Sequence, residues 1–174
     1  ESEVDVYEDK LGSYLVKLSA HDMSEADSAE ANKLLHVIGD FERISDHAIN
    51  VVNSAEEIHD KKLEFSGQAK KELSVLVNAV MEILDLALAS FEKDDLDSAV
   101  MVEPLEQVVD HLRDTLKKQH IRRLRKQECT IELGFVLTDL LTNLERVSDH
   151  CSNIAACILE MDRDEMDVHE YLRG

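Results

Sequence analysis

The sequence predicts an all-α fold made of two related halves, and three observations support this prediction. The 174 residues include only five glycines and one proline, too few turn-forming residues for a many-stranded β fold. Apolar residues recur at helical spacing along most of the chain. Two near-identical motifs, Glu42–His47 and Glu145–His150, lie 103 residues apart, each deep inside such a helical pattern.

Two helices are expected in the first third of the chain. The first covers about residues 1–20, where Leu11, Leu15 and Leu18 recur at helical spacing. A polar loop follows, and the second helix is expected at about 26–61. Ser24 or Ser28 should cap its start, because a serine hydroxyl accepts hydrogen bonds from the free backbone N–H groups of the first turn.

Three more helices are expected at about 68–93, 95–126 and 128–163, and the tail at 164–174 is expected to be a short helix or a frayed end. Segment 61–67 and the residues around Asp94 interrupt the apolar periodicity, so loops are predicted at both places. Apolar residues of the fifth helix should form one core-facing stripe. These residues are Leu137, Leu140, Leu144, Val147, Cys151, Ile154, Ala155 and Ile158. The second helix carries a similar stripe, which includes Val37 and Val52.

The two halves align helix by helix. The second helix matches the fifth and the first matches the fourth, so that Asp5 and Asp9 align with Glu106 and Asp110. Nothing precedes Glu1 to match the third helix, so the first half is expected to lack one helix. Because the chain also begins without Met, we expect it to be part of a longer polypeptide.

Duplicated acidic pairs along the edges of the apolar stripes are the main candidate for a functional site. Residues at i and i+4 share a helix face, and this spacing joins Glu42 to Asp46, and Glu145 to Asp149. The pairs Asp5 with Asp9, and Glu106 with Asp110, have the same spacing on the preceding helices. If neighbouring helices present these edges to each other, four carboxylates meet in each half.

Four close carboxylates cannot all stay ionised without cations, because each negative charge disfavours the next. One solution is a metal cluster, since oxygen ligands suit Mg, Ca, Mn or iron and facing helices can supply them. Protonated or solvent-separated acids are the alternative. A metal-free salt-bridge network through Arg43 and Arg146 is another. His47 and His150 point away from the acidic rows on the helical wheel, so they are expected between helices or at the surface rather than as metal ligands.

Charge and cysteine usage limit the classes of function. A formal charge of −19 opposes binding to nucleic acid or anionic membranes as a main role. The basic run Lys117–Lys126 is the exception, and it either complements the dipole at a helix end or forms a docking patch for a membrane or a partner. Three cysteines match neither a metal motif nor a disulfide framework. With no signal peptide or long apolar run, a soluble chain with reduced thiols is expected.

The duplicated motif E-R-[IV]-x-D-x-x-x-N, with an acidic pair on the preceding helix, resembles PhoU, the bacterial regulator of phosphate uptake. The ending Asp167–Leu172 and the missing helix make the chain more similar to the PhoU-like cytoplasmic domain at the carboxyl end of bacterial sodium/phosphate cotransporters. The resemblance implies tandem three-helix bundles: an incomplete repeat at 1–62, a complete repeat at 63–165 and a tail at 166–174.

The resemblance also implies a site in each half and a regulatory role. The metal ligands would be Asp5, Asp9, Glu42 and Asp46 in the first half, and Glu106, Asp110, Glu145 and Asp149 in the second. Asp5 stands where Glu is expected, and Glu8 lies nearby as a substitute. The resemblance implies multinuclear iron or zinc clusters at these sites, and the oxygen ligands leave manganese and magnesium open as alternatives. The implied partner is a membrane phosphate transporter, in the same polypeptide and at the cytoplasmic face of the cell membrane, with a homodimer as a further possibility.

Three other functions stay open at this point. One is a stand-alone PhoU-type regulator of a phosphate ABC transporter. Another is a di-iron carboxylate enzyme, although the E-x-x-H sequence of Glu56–His59 has no counterpart in the second half. The last is a purely structural helical adaptor. The resemblance favours a non-catalytic regulatory domain of phosphate uptake, whereas the residues by themselves indicate an acidic, duplicated, metal-binding bundle without a recognised catalytic motif.

Overall fold

Five α-helices make up the fold in the computed structural model, which describes the backbone of residues 2–173 and the side chains of residues 2–163. The helices are α1 (Ser2–Leu18), α2 (Glu25–Asp60), α3 (Gly67–Lys93), α4 (Leu96–Arg125) and α5 (Ile131–Arg173). The predicted all-α class is confirmed. The expected end of the fifth helix near residue 163 is wrong, because α5 continues through Arg173. The ending Asp167–Leu172, cited for the cotransporter resemblance, lies outside the side chains that the structure describes.

Side-chain caps fix the starts of four helices, and at the start of α5 the Thr130 hydroxyl accepts a 3.2 Å hydrogen bond from the backbone N–H of Leu133. The Ser24 hydroxyl accepts a hydrogen bond from the backbone N–H of Asp27 at 3.1 Å, so Ser24, rather than Ser28, caps α2. Ser66 caps α3 in the same way, and Asp95 caps α4 by accepting from the backbone N–H of Ser98. The Ser98 hydroxyl also donates a 2.7 Å hydrogen bond to Asp95, and this bond, together with the backbone one, holds the pKa of the Asp95 carboxyl below its usual range.

The second half is a complete three-helix bundle in which α3, α4 and α5 contact one another. Its core contains Leu76 and Ile83 of α3, Val102 and Val109 of α4, and Leu141 of α5, all fully or almost fully buried. Every residue of the stripe predicted for α5 is buried. Burial raises the pKa of the Cys151 thiol to about 12, so this cysteine is an unreactive core residue.

The apolar faces of the first half are covered by fewer neighbouring helices than those of the second half. Among the described residues, α1 contacts α2 and no other helix, and Leu15 is the one buried side chain of α1. The stripe predicted for α2 is therefore only partly correct: Val37 is buried, whereas Val52 is 51% exposed. The difference has a physical cause, since three helices cover α5 and only two cover α2.

The two halves are joined by α2 and α5, which pack against each other. The two helices run antiparallel, because His47 meets Asn143 while Asp40 meets His150. At one end of this interface, the Lys61 ammonium lies 3.0 Å from Glu132. Lys33 of α2 is buried and donates a 2.6 Å hydrogen bond to Asp94 in the loop after α3. Burial alone would lower the pKa of Lys33, but its bonds to Asp94 and Glu30 raise the pKa above its usual value.

By length and composition, α3 could cross a membrane, with a mean hydropathy of 1.7 over its most apolar window. Core helices of soluble proteins have the same length and composition. Here Leu76, Val80 and Ile83 of α3 lie in the core of the second bundle.

Candidate metal centre

Three carboxylates from two helices converge in the first half, and we call this group the first acidic site. It consists of Asp5 on α1 with Glu42 and Asp46 on α2, and one oxygen from each lies within 4.8 Å of the others. Helical spacing brings Glu42 and Asp46 together, and the packing of α1 against α2 adds Asp5. This is the one such group of acidic, histidine or cysteine side chains in the part of the chain whose side chains are described.

The charges in the first acidic site are poorly neutralised. Burial raises the pKa of Glu42, and the neighbouring Asp46 carboxylate raises it further, with Glu8 adding a smaller effect. Arg43 opposes this rise, but it lies 3.4 Å from Glu42 and 3.8 Å from Asp46 with 62% of its side chain exposed. An exposed arginine at these distances contributes little.

The first acidic site suits a hard metal cation. Two oxygens bound to one such cation lie at most about 4–5 Å apart, twice a ligand distance of roughly 2.0–2.6 Å, and the observed spacing falls within that range. In addition, Asp5 Oδ1 is buried without a hydrogen-bond partner among the described residues. A buried carboxylate oxygen without a partner is costly, and a cation would satisfy it.

Not every predicted ligand of the first half joins this group. Asp9 is exposed and lies outside the three-carboxylate cluster. Glu8 is only half-buried, and its charge contributes to the raised pKa of Glu42. Asp5, which departs from the family pattern, is nevertheless the α1 residue that meets Glu42 and Asp46.

The second acidic site consists of Glu106 and Asp110 on α4 with Glu145 and Asp149 on α5, and it differs because Arg113 enters it. The Arg113 guanidinium contacts Glu145 and lies 3.1 Å from Asp110 and 3.0 Å from Asp114. Only 16% of the Arg113 side chain is exposed. A protein cation therefore lies among the carboxylates of the second acidic site, whereas no arginine of α1 takes this place in the first acidic site.

The remaining carboxylates of the second acidic site border a cavity of about 430 Å³. Glu106 and Asp149 line it together with Glu103, whose carboxylate accepts a 2.6 Å hydrogen bond from Ser152. Burial raises the pKa of Glu106, and the charges of Asp110, Glu103 and Asp149 raise it further. Arg146 lies 3.1 Å from Asp149, so an arginine contacts each of the two carboxylates of the acidic pair on α5.

Sequence reasoning missed Arg113, although one signal was present. Arg113 stands three residues after Asp110, a spacing at which helical side chains meet. The alignment that matches Asp5 to Glu106 places Gly12 opposite Arg113, so the first half has no equivalent guanidinium. The two halves therefore share the acidic pattern but differ in how its charge is balanced.

His47 and His150 lie between helices, as expected. His47 hydrogen-bonds to Asn143 and His150 to Asp40, each at 2.8 Å across the interface of α2 with α5. Neither belongs to the three-carboxylate group. Glu56 and His59, the E-x-x-H residues on α2, are exposed and also lie outside it.

The fold and the site together define a class: a duplicated helical protein in which helix-borne carboxylates form oxygen-rich sites beside the repeat interface. Comparison with known proteins gives the family. The PhoU domain matches residues 1–55 and 73–158, which is most of the chain. This protein therefore belongs to the PhoU family.

Two curated relatives and one solved structure illustrate the similarity. The chain is 25% identical over 141 residues to the phosphate-specific transport system accessory protein PhoU homolog 1 of Thermotoga maritima. It is also 25% identical over 163 residues to YjbB of Salmonella typhimurium, a protein named for inorganic phosphate export. These matches cover 81% and 91% of the chain but only 60% and 30% of the two relatives. The crystal structure of PhoU from Pseudomonas aeruginosa has the same fold, with a TM-score of 0.85 at 22% identity, over 94% of this chain and 78% of that one.

Proposed function

We propose that this chain is a non-catalytic regulatory domain of phosphate transport that binds metal at the first acidic site. Family membership across both repeats supports the regulatory role, because the relatives are named for phosphate transport or export. The observation that carries the metal proposal is the convergence of Asp5, Glu42 and Asp46, with Asp5 Oδ1 left without a hydrogen bond.

In this proposal, Glu42 and Asp46 present a fixed pair of oxygens on α2, and Asp5 completes the site from α1. A bound cation supplies positive charge that the protein lacks at this point. Oxygen-only ligands favour magnesium, manganese or iron, whereas zinc more often has nitrogen or sulfur ligands. Among the described residues, α2 is the one helix that α1 contacts. A cation shared by α1 and α2 would therefore hold α1 in place.

The test is phosphate uptake by cells that carry Glu42→Ala with Asp46→Ala in the parent protein. We expect phosphate uptake to become insensitive to phosphate supply, and the purified variant to lose its metal in elemental analysis. The matched control is Glu56→Ala with Asp60→Ala, an exposed acidic pair with the same spacing on the same helix. Unchanged regulation in the first variant would reject metal-linked control, and unchanged regulation after removal of the whole domain would reject the regulatory role.

Two settings for this domain fit its relatives equally. A domain within a longer transport protein, which the resemblance takes to be a sodium/phosphate cotransporter, is supported by the match to YjbB only in that the matched region is 30% of a longer protein named for phosphate export. A stand-alone regulator of a phosphate ABC transporter is supported by the match to the Thermotoga accessory protein. In both settings the domain would lie at the cytoplasmic face of the membrane and act on a transporter. Co-purification of the full-length protein with membranes after a high-salt wash distinguishes a covalently attached domain from a docked one.

A second copy of the chain is a further partner that we propose. Tyr7, Leu11 and Tyr14 of α1 are exposed, and apolar side chains on a helix with a single neighbour favour association. Light scattering during size-exclusion chromatography should give twice the 19.7 kDa mass of the chain. A mass of one chain at all concentrations would reject the dimer.

A further inference from the structure

Four helix ends meet at one end of the molecule. The salt bridge between Arg123 and Glu72 joins the end of α4 to the start of α3, and the salt bridge between Lys61 and Glu132 joins the end of α2 to the start of α5. Segments 60–72 and 117–132, which contain these four helix ends, therefore lie together. We call this region the basic end.

The basic end reverses the charge of the rest of the chain. Its two segments hold ten of the 19 Lys and Arg residues but only five of the 38 Asp and Glu residues. Three of the ten cations, Lys61, Lys70 and Arg123, form salt bridges. The other seven form none with any of the side chains that the structure describes. These are Lys62, Lys71, Lys117, Lys118, Arg122, Arg125 and Lys126.

Large apolar side chains are exposed beside these cations. Ile131 and Phe135, one turn apart at the start of α5, are 70% and 68% exposed, and Ile121 in the last turns of α4 is half exposed. The basic end and the adjoining start of α5 thus combine unpaired cations with exposed apolar groups. This combination is typical of protein surfaces that rest on anionic lipid headgroups.

We propose that the basic end docks on an anionic phospholipid membrane, with Lys and Arg at the headgroups and Ile131 and Phe135 at the acyl boundary. The charge of −19 for the whole chain does not prevent this. Salt screens charges beyond about 8–10 Å at physiological ionic strength, so a membrane at the basic end experiences mainly the local positive charge.

Lipid fits this surface better than an acidic protein partner does. Five of the seven unpaired cations are lysines, which act as mobile point charges, whereas fixed carboxylates on a protein favour the bidentate geometry of arginine. The cations are also spread over four helix ends, and the two cavities described by the structure are lined by residues elsewhere. A diffuse anionic surface such as a membrane can bind these cations without a groove in the protein.

Vesicle flotation tests the proposal. Phosphatidylcholine vesicles with about 30% phosphatidylglycerol should bind the protein at about 0.05 M NaCl and release it at about 0.5 M, because salt screens the attraction. The variant Arg122→Gln, Arg125→Gln, Lys126→Gln should lose roughly a hundredfold in affinity, about fivefold for each cation. The control Lys10→Gln, Lys17→Gln, Lys93→Gln removes the same charge from exposed residues outside the basic end and should bind like the unmodified protein.

A second variant tests the apolar contribution without a change of charge. Phe135→Ser should weaken binding by about tenfold, whereas Val16→Ser, at a similarly exposed position on α1, should not. Equal binding to vesicles with and without phosphatidylglycerol, or equal loss in the two triple variants, would overturn the proposal. An absence of binding at low salt would also overturn it and leave an acidic protein as the occupant. The vesicles contain no transporter and the buffer contains a chelator, so the outcome is independent of the metal site and of transport regulation.

Discussion

His47 and His150 stack against each other where α2 crosses α5, with ring centroids 5.6 Å apart and ring planes inclined by 24°. Each Nδ1 also donates a hydrogen bond across the interface, His47 to Asn143 Oδ1 and His150 to Asp40 Oδ1. Asp40 and Asn143 are separated by 103 residues, as are the two histidines. The two hydrogen bonds are therefore equivalent under the internal repeat, and an approximate two-fold axis passes between the rings.

Asp40→Ala should weaken this interface. Asp40 accepts hydrogen bonds from His150 at 2.8 Å and from Asn153 at 3.0 Å, and its removal leaves both donors without a partner. We expect a loss of about 2–3 kcal/mol in the free energy of unfolding, measured by urea denaturation. Asp85→Ala, at an exposed position on α3, is the control and should change stability by less than about 0.5 kcal/mol. Equal effects would show that the Asp40 bonds contribute nothing.

Arg113→Gln should destabilise the metal-free protein and open the second acidic site to metal. The guanidinium contacts Glu145 and Asp110 with little exposure, so its removal leaves unbalanced carboxylates. We expect a cost of about 2 kcal/mol, between the values for exposed and buried ion pairs, or a Tm lower by about 4–8 °C. Added manganese should recover part of this loss, and elemental analysis should show an increased metal content.

Arg146→Gln is the matched control for Arg113→Gln. Arg146 pairs with Asp149 at 3.1 Å but is 57% exposed, so its loss should cost less than about 1 kcal/mol. If Arg113→Gln melts like the unmodified protein and gains no metal, then Arg113 does not close the second acidic site.

Glu42→Gln should stabilise the metal-free protein at pH 7. Burial and the neighbouring Asp46 raise the pKa of Glu42, which means that its ionised form is unfavourable in the folded state. We expect a Tm higher by about 2–4 °C, the change that about 1 kcal/mol produces at this chain length. The same variant should lose the rise in Tm that added manganese causes in the unmodified protein. Glu56→Gln, exposed on the same helix, should change neither quantity.

The stability of the metal-free protein should depend on pH through Glu42 and Glu106. Both have raised pKa values in the folded state, first through burial and then through neighbouring carboxylates. The folded state therefore binds more protons than the unfolded state between the usual value of 4.5 and the raised values, and stability falls as pH rises through that window. Urea titrations of the unmodified protein and of Glu42→Gln with Glu106→Gln should converge as pH falls to about 4.5. Parallel curves would contradict this assignment.

Gly134→Ala should destabilise the second bundle, whereas Gly39→Ala should not. A Cβ at Gly134 would lie 2.6 Å from His120 Nε2, and His120 is buried, so its ring has little room to move. We expect a loss of about 1–3 kcal/mol from this overpacking. A Cβ at Gly39 in α2 would meet nothing within 4 Å, and alanine there should add about 0.5–1 kcal/mol. Thermal melts of the two variants should therefore shift in opposite directions.

Local rules explain why so much of the fold could be predicted. Helical periodicity located all five helices to within a few residues, apart from the end of α5, and the preference of serine for helix starts identified Ser24. The buried stripe of α5 also followed from its pattern. The stripe of α2 was overestimated at Val52, because periodicity shows which face is apolar but not how many neighbouring helices cover it.

By itself, the sequence determined the all-α class, the duplication and the acidic rows at i, i+4, because helix geometry relates residues that are close in the chain. Only the tertiary structure decided which carboxylates meet and what balances their charge. Asp5 reaches Glu42 and Asp46 through the packing of α1 on α2, whereas Asp9 does not. Arg113 of α4 reaches Glu145 of α5. The stacking of His47 on His150 across the repeat interface could not be predicted from the sequence either. These contacts depend on the rotation and crossing of packed helices, which the pattern along a single helix does not contain.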